Sequence, residues 1–131
     1  EGKTLTLDEL QRVHAGKTGA LITASLRIGA LLGNAAPEVL HALTHYGRLL
    51  GLLFQITDDV LDVVGDAATL GKSVGKDART KKATYPALLG LDGALAMARA
   101  TADRAVDALH DLGPEADIFR ELARHLPDRN Q

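Results

Sequence analysis

Three aspartates lie close together in an otherwise apolar stretch of the chain, at Asp58, Asp59 and Asp62 within residues 54–64. Asp58 and Asp62 are four residues apart and therefore share one face of a helix, and Gln55 lies one turn earlier on the same stripe. Carboxylates this close repel one another unless a cation lies among them. Mg²⁺ suits such a site, because one or two carboxylates, waters and substrate phosphates complete its shell. The spacing predicts a magnesium site, and the alternative, an acidic patch on a solvated helix face, is disfavoured by the apolar neighbours.

A cluster of basic residues follows, in which glycines alternate with cationic side chains. The cluster comprises Gly71, Lys72, Gly75, Lys76, Arg79, Lys81 and Lys82. Lysines supply point charges to phosphate oxygens, and glycines let the backbone approach those oxygens closely. A metal held by the aspartates could bridge the same phosphates, so the two clusters together predict a diphosphate site. The lysines considered alone are more typical of a solvated surface loop than of a phosphate site.

Two further short patterns are weaker. Gly71-Lys72-Ser73 looks like the end of a nucleotide-binding P-loop, but no glycine stands five residues before Gly71 and no strand is predicted there, which disfavours that motif. Lys17 and Thr18, with His14 one turn earlier, are also polar residues on a predicted helix. Taken alone, they are typical of a surface lysine, a helix threonine and a half-buried packing histidine.

The elements that position these residues are predicted to be helices, and the fold class is all-α. Only 3% of the residues are aromatic, and Ala, Leu, Gly and Arg are plentiful. A first helix begins at Thr6, which has capping-box spacing to a glutamate, and continues to Gly29 or Gly33. A second helix begins at Pro37 and ends at Gly65. Because the second helix is apolar nearly all round, we expect it at the centre of a bundle.

The remainder of the chain is predicted to hold a loop and three shorter helices. Helical periodicity disappears between Gly65 and about Thr84, so a loop of functional length is expected there. The three helices run from Pro86 to Leu89, from a cap at Asp92 to Leu109, and from Pro114 to Leu126.

The composition excludes several classes of protein. The absence of cysteine removes disulfide frameworks and thiolate metal sites. The net charge of −2 disfavours a nucleic-acid binder that neutralises many phosphates. No apolar run reaches membrane-spanning length and the N-terminus lacks the features of a signal peptide, so a cytoplasmic protein without stable membrane insertion is expected. The first residues have the character of a cut inside a longer protein.

Four motifs, which together cover essentially the whole chain, carry a family resemblance. They are Gly-Lys-Thr-Gly-Ala-Leu at 16–21, Gly-Leu-Leu-Phe-Gln-Ile-Thr-Asp-Asp-Val-Leu-Asp at 51–62, Leu-Gly-Lys-Ser at 70–73 with Gly-Lys-Asp at 75–77, and Lys-Ala-Thr-Tyr-Pro-Ala-Leu-Leu-Gly at 82–90. In this order they resemble the polyprenyl (isoprenyl) diphosphate synthases of the farnesyl and geranylgeranyl diphosphate synthase type. The most specific is Phe-Gln followed by Asp-Asp-x-x-Asp, which resembles the second aspartate-rich motif of that family.

The resemblance implies the all-α isoprenoid synthase fold, with residues 1–131 as the C-terminal half of a single domain on one side of a deep cavity. It also implies a trans-prenyltransferase and a homodimer. Enzymes of this kind bind an allylic diphosphate through Mg²⁺ held between two aspartate-rich motifs. They ionise it to an allylic cation, add isopentenyl diphosphate and lose a proton.

The same resemblance gives roles to residues around the metal and the cation. Asp58 would be a direct Mg²⁺ ligand, while Asp59 and Asp62 would act through ordered water or hydrogen bonds. Gln55 and the Thr18 region would lie beside the developing cation.

Roles in substrate binding follow in the same way. Phe54 would lie against the prenyl chain, and Lys76 with Asp77 would help to close the loop over the site. The allylic diphosphate would be held by three lysines: Lys17, Lys72 and Lys82. The catalytic set implied by the resemblance is Asp58, Lys17, Gln55 and Lys72.

The family's first aspartate-rich motif and its isopentenyl diphosphate segment belong to the N-terminal half and are not in this sequence. The 131 residues are therefore expected to be inactive alone, with the other half either removed or supplied by another chain, and the product chain length is not encoded here. The first two helices would also expose wide apolar faces, which predicts association of the isolated chain.

Two alternatives share the fold. A non-catalytic helical subunit of a heteromeric prenyl synthase is disfavoured, because a structural subunit has no reason to keep carboxylates in an apolar helix. A terpene cyclase or a head-to-head condensing synthase is disfavoured by the order of the Lys-Thr, Phe-Gln and Gly-Lys elements.

Overall fold

The computed structural model describes residues 6–70 and 83–129, with the backbone alone at 66–70, and within these ranges the chain forms helices and no strand. The all-α prediction is therefore confirmed. The helices are α1 (Leu7–His14), α2 (Ala20–Leu32), α3 (Pro37–Leu70), α4 (Tyr85–Asp107) and α5 (Asp117–His125). A π-helical segment, Ala15–Gly19, joins α1 to α2, and short 3₁₀ turns at Pro114–Ala116 and Leu126–Asp128 flank α5.

The first predicted helix is present but contains a wide turn that the sequence did not suggest. Its start is the expected capping box: the Glu9 backbone N–H donates to Thr6 Oγ1 at 3.3 Å, and the Thr6 N–H donates to Glu9 Oε2 at 2.9 Å. Gly33 is the C-cap, which agrees with the later of the two predicted ends. A single π turn interrupts the regular period by one residue, and this is too small a change to be read from an apolar pattern.

The second helix begins as predicted, with Pro37 in its first turn, but its predicted end at Gly65 is wrong. α3 continues to Leu70. The residue that follows a helix end often has a positive φ, as Asn34 does after α2 at 51°, and Gly65 has no such conformation. Gly65 therefore sits inside the helix, where a glycine costs only about 1 kcal/mol relative to alanine. The predicted loop therefore does not begin at Gly65, and residues 71–82 lie outside the described residues.

The next two predicted helices are the two arms of α4. Gly90, with φ 74° and ψ 166°, breaks the helical conformation between them. Thr84 is the N-cap, since its hydroxyl accepts a hydrogen bond from the Ala87 N–H at 3.2 Å. The last predicted helix corresponds to the turn that begins at Pro114 together with α5.

The core lies where α3 packs between α2 and α4, which confirms the predicted central position of α3. Its buried face carries Leu49, Leu53, Ile56 and Val60. The facing stripe of α4 is made of small residues, Ala94, Ala98, Ala102 and Ala105, all at most 5% exposed. Small side chains at this spacing let the two helices approach closely and hold the middle of α3 rigidly.

Part of the surface of the helices is apolar. Large apolar side chains point outward from α1 and α2: Val13, Leu21, Ile28, Leu31 and Leu32. Within residues 6–70 and 83–129, no helix combines the length and the apolar character that a membrane span requires.

Candidate active site

The three aspartates of α3 occupy three different environments. Asp59 is 3% exposed, whereas Asp58 is half-buried and Asp62 is exposed. The helical period produces this division, because positions 56 and 60 face the core and position 59 lies beside that buried stripe. The three carboxylates of one short motif therefore differ in their access to solvent.

Asp59 is held by two donors. Its Oδ2 accepts the backbone N–H of Tyr85 at 3.1 Å, and its Oδ1 accepts the Gln55 side-chain amide at 3.2 Å. Tyr85 is the first residue of α4, where backbone N–H groups have no partner within the helix and where the helix dipole favours a negative charge. Asp59, a residue of α3, is thus hydrogen-bonded to the first residue of α4.

Asp58 and Asp62 differ from Asp59 in their contacts within the described part of the chain. Neither makes a hydrogen bond or an ion pair with another described residue. The described residues contain no group of three or more acidic or histidine side chains that could hold a metal ion by themselves. Two carboxylates one turn apart nevertheless match the needs of Mg²⁺, which completes its shell with water and phosphate oxygens.

Lys17 and Thr18 lie within the π-helical segment, with Lys17 exposed and Thr18 half-buried. This segment crosses α3 at a very close approach of two glycines. A Cβ atom added to Gly51 would lie 2.4 Å from the Cα of Gly19, so only glycine allows the crossing. Gly51 is one turn before Gln55, so the segment that contains Lys17 and Thr18 crosses α3 one turn before Gln55. A π turn inserted into an α-helix frequently marks a functional position.

Tyr85 is a buried residue of this region that the sequence reading did not single out. It is fully buried, and its ring lies 5.6 Å from the ring of His14, centre to centre. Its hydroxyl has no hydrogen-bond partner among the described residues. Burial, and secondarily the charge of Asp59, raises the pKa of Tyr85 to about 12. His14 is half-buried against this ring, as the packing interpretation predicts.

Phe54 is half-buried, and the guanidinium of Arg129 lies over its ring at 5.5 Å from the centroid. This cation–π contact covers one face of the ring, so a prenyl chain could use only the remaining surface. No sequence pattern indicated that Arg129 would contact Phe54.

The contact of Tyr85 with Asp59 could have been predicted from the sequence, because Thr84 and Pro86 mark a helix start whose N–H groups need an acceptor.

The remaining predicted site residues, Lys72, Lys76 and Lys82 with Asp77, lie outside the described residues. A prominent cleft of the described structure lies elsewhere, at the other end of α3. It is lined by Pro37, His41, His45, Arg104, Asp107 and His110, among others.

Comparison with known proteins gives consistent matches along the chain. The family model for polyprenyl synthetase matches residues 1–115. The chain is 46% identical over 135 residues to farnesyl diphosphate synthase of Escherichia coli (strain K12), covering 100% of the chain and 45% of that relative. It is 37% identical over 131 residues to geranylgeranyl diphosphate synthase of Cyanophora paradoxa, covering 99% of the chain and 44% of that relative.

Solved structures give the same result for the fold. An FPP/GFPP synthase from Zymomonas mobilis superposes with a TM-score of 0.79 at 35% identity, over 96% of this chain and 40% of that one. A geranyltransferase from Legionella pneumophila superposes with a TM-score of 0.75 at 26% identity, over 98% of this chain and 40% of that one. The chain thus spans less than half the length of each of these relatives.

Proposed function

The chain belongs to the polyprenyl synthetase family, and on that premise we propose that it supplies the allylic diphosphate side of a trans-prenyltransferase active site. The whole protein would condense isopentenyl diphosphate with an allylic diphosphate, head to tail, and release diphosphate. The observation that carries the proposal is the division among the aspartates: Asp59 is committed to α4, while Asp58 and Asp62 make no bond to another described residue and share one face of α3.

The donor set fits Mg²⁺. Asp58 would bind the ion directly, and Asp62 would act through a bound water one turn away. When bound, the ion supplies positive charge to the diphosphate oxygens as the carbon–oxygen bond breaks. The half-burial of Asp58 matters here, because a carboxylate with little competing water holds a cation more strongly.

The remaining residues would bind and orient the substrate. Lys17 stabilises the charge that grows on the leaving diphosphate, together with Lys72 and Lys82, and Lys76 with Asp77 helps to exclude water. The Gly19–Gly51 crossing supports the role of Lys17, since the segment that carries this lysine crosses α3 one turn before Gln55. The carbonyl oxygens of Gln55 and of the Thr18 region face the allylic cation, and the uncovered surface of Phe54 contacts the prenyl chain.

We further propose that residues 1–131 form one part of a single catalytic domain, and that the protein is a cytoplasmic homodimer. These proposals follow from the family. Light scattering of the full-length protein would give its subunit number, and cell fractionation would give its location.

The proposal is tested by prenyl transfer with labelled isopentenyl diphosphate, an allylic diphosphate and Mg²⁺. In the full-length protein, Asp58→Ala should lower kcat by about two orders of magnitude, because the ion that stabilises the leaving diphosphate loses a ligand. Folding should change little, since the substitution also relieves repulsion with Asp62. Asp103→Ala, an exposed aspartate of α4, is the matched control and should leave the rate unchanged.

An unaffected rate in Asp58→Ala would contradict the metal assignment. No prenyl transfer by the wild-type protein would instead favour the non-catalytic subunit of a heteromeric synthase. The product length measured in the same assay would define the allylic substrate preference.

A further inference from the structure

The hydrogen bond between Gln55 and Asp59 determines which way the Gln55 side chain faces. Their polar atoms are 3.2 Å apart, and the two residues are one helical turn from each other. A carboxylate has only acceptor oxygens, so Gln55 must turn its NH₂ group toward Asp59. Its carbonyl oxygen then points away from Asp59.

The carboxylate of Asp59 is held in one orientation, because each of its two oxygens accepts a hydrogen bond. Its second oxygen accepts the Tyr85 backbone N–H at 3.1 Å, and that N–H can only donate. Asp59 is 3% exposed, so water does not compete for either oxygen. The order of donors and acceptors from Tyr85 through Asp59 to Gln55 is therefore set by chemistry at both ends.

We infer that Asp59 is a positioning residue, which fixes the Gln55 amide so that its carbonyl oxygen faces the reacting carbon, and that it is not a metal ligand. The inference rests on the proposed function, because it concerns the stabilisation of an allylic cation by that oxygen. A carbonyl oxygen carries partial negative charge and stabilises a neighbouring cation, whereas an NH₂ group in its place would repel the cation.

The inference predicts an unusual consequence of Asp59→Asn. The carbonyl of the introduced asparagine must still accept from the Tyr85 N–H, so its NH₂ group turns toward Gln55. Gln55 then flips to accept that hydrogen bond and presents its own NH₂ group to the site. Both hydrogen bonds survive, yet the polarity at the reacting carbon is reversed.

The test is a reciprocal exchange in the full-length protein. Asp59→Asn should lower kcat by about a hundredfold with little change in KM. When Gln55→Glu is added to that variant, one oxygen of the introduced carboxylate accepts from the introduced asparagine and the other faces the site, and the total charge equals that of the wild type. The double variant should therefore have a kcat about tenfold higher than Asp59→Asn alone. Gln55→Glu alone places two carboxylates in contact and should lower the melting temperature, which the added Asp59→Asn should restore.

Calorimetric measurement of Mg²⁺ binding in the presence of inorganic diphosphate distinguishes a residue that positions Gln55 from a residue that binds the metal. Asp59→Asn should keep wild-type affinity, whereas Asp58→Asn should weaken it by about tenfold or more. Equal weakening in the two variants would overturn the inference, as would a double variant no faster than Asp59→Asn. A wild-type protein without prenyl transfer would overturn the proposed function as well, so the two failures are distinguishable.

Discussion

At the residue scale, adjacent side chains of the same chemical type have different surroundings. Asp58 and Asp59 are neighbours in one sequence motif, but burial and two hydrogen bonds commit Asp59 to the structure. The sequence motif therefore identifies three carboxylates, while the packing of α4 on α3 divides them. Loss of function after mutation of this motif need not mean loss of a metal ligand.

The two buried tyrosines provide a second residue-scale contrast. Both are fully buried, but the Tyr46 hydroxyl donates to the Phe119 carbonyl at 2.7 Å, whereas the Tyr85 hydroxyl has no partner among the described residues. We expect Tyr46→Phe to lower the free energy of unfolding by about 1–2 kcal/mol, because the Phe119 carbonyl loses its donor. Tyr85→Phe should change it by less than about 0.5 kcal/mol or raise it.

Urea unfolding of the two variants measures this difference directly, and each serves as the control for the other. A cost for Tyr85→Phe as large as that for Tyr46→Phe would show that the Tyr85 hydroxyl is paired.

At the element scale, the crossing of the π-helical segment with α3 determines where Lys17 and Thr18 lie. The contact depends on two glycines, and a Cβ atom on Gly51 would meet the Gly19 backbone at 2.4 Å. Backbone cannot rotate aside as a side chain can, so the two helices must separate if a side chain is added. The position of the Lys-Thr pair is thus a property of helix packing.

Gly51→Ala tests this packing. We expect a loss of about 1–3 kcal/mol in the free energy of unfolding, measured by urea denaturation, together with reduced prenyl transfer. Gly29→Ala is the matched control, since nothing lies within 4 Å of its added Cβ. In the helix interior of α2 it should be stabilising by about 0.5–1 kcal/mol. A Gly51→Ala protein as stable as wild type would contradict the close crossing.

The break in α4 depends on a different property of glycine. Gly90 has φ 74° and ψ 166°, a region that only glycine occupies readily, yet an added Cβ would meet nothing within 4 Å. Gly90→Ala should therefore cost about 1–3 kcal/mol through backbone strain alone. Thermal unfolding of Gly90→Ala and of Gly29→Ala separates backbone strain from steric overlap, because an added Cβ meets nothing within 4 Å at either position and only Gly90 has a positive φ. Equal stability of the two variants would show that the break survives without a positive φ.

At the scale of the whole molecule, the outer face of α2 is apolar. Leu21, Ile28 and Leu32 recur at helical spacing and are 71%, 58% and 81% exposed. Contiguous apolar surface of this kind drives association in water. The expected exposed apolar face is present on the first predicted helix, which includes α2, whereas the exposed large apolar side chains among the described residues of α3 are Val63 and Val64, at 38% and 41%.

We expect the 131-residue chain to associate in a concentration-dependent manner, which sedimentation velocity would measure. Ile28→Lys with Leu32→Lys should shift the chain toward monomer, because charges on this face oppose burial. Ile118→Lys with Leu122→Lys on α5, also an exposed apolar pair, is the control and should change association little. Equal effects of both double variants would assign the association to general surface hydrophobicity.

The sequence by itself determined the all-α class, most of the helix starts and the shared face of Asp58 and Asp62. These features depend on local rules: the 3.6-residue period, the Thr6 cap and Pro37 in a first turn. The end of α3 was misread because a glycine does not by itself end a helix, and the Gly65 backbone has no positive φ that would break the helical conformation.

Only the tertiary structure decided the burial and the hydrogen bonds of Asp59, and the crossing of the Lys-Thr segment with α3. The bond from Tyr85 to Asp59 joins residues 26 apart in the chain, and the Gly19–Gly51 crossing joins two separate helical elements. Contacts of this kind depend on how helices pack, and no periodicity within one helix encodes them. The residue types of the site are therefore local information, whereas the different burial and hydrogen bonding of its carboxylates depend on how the helices pack.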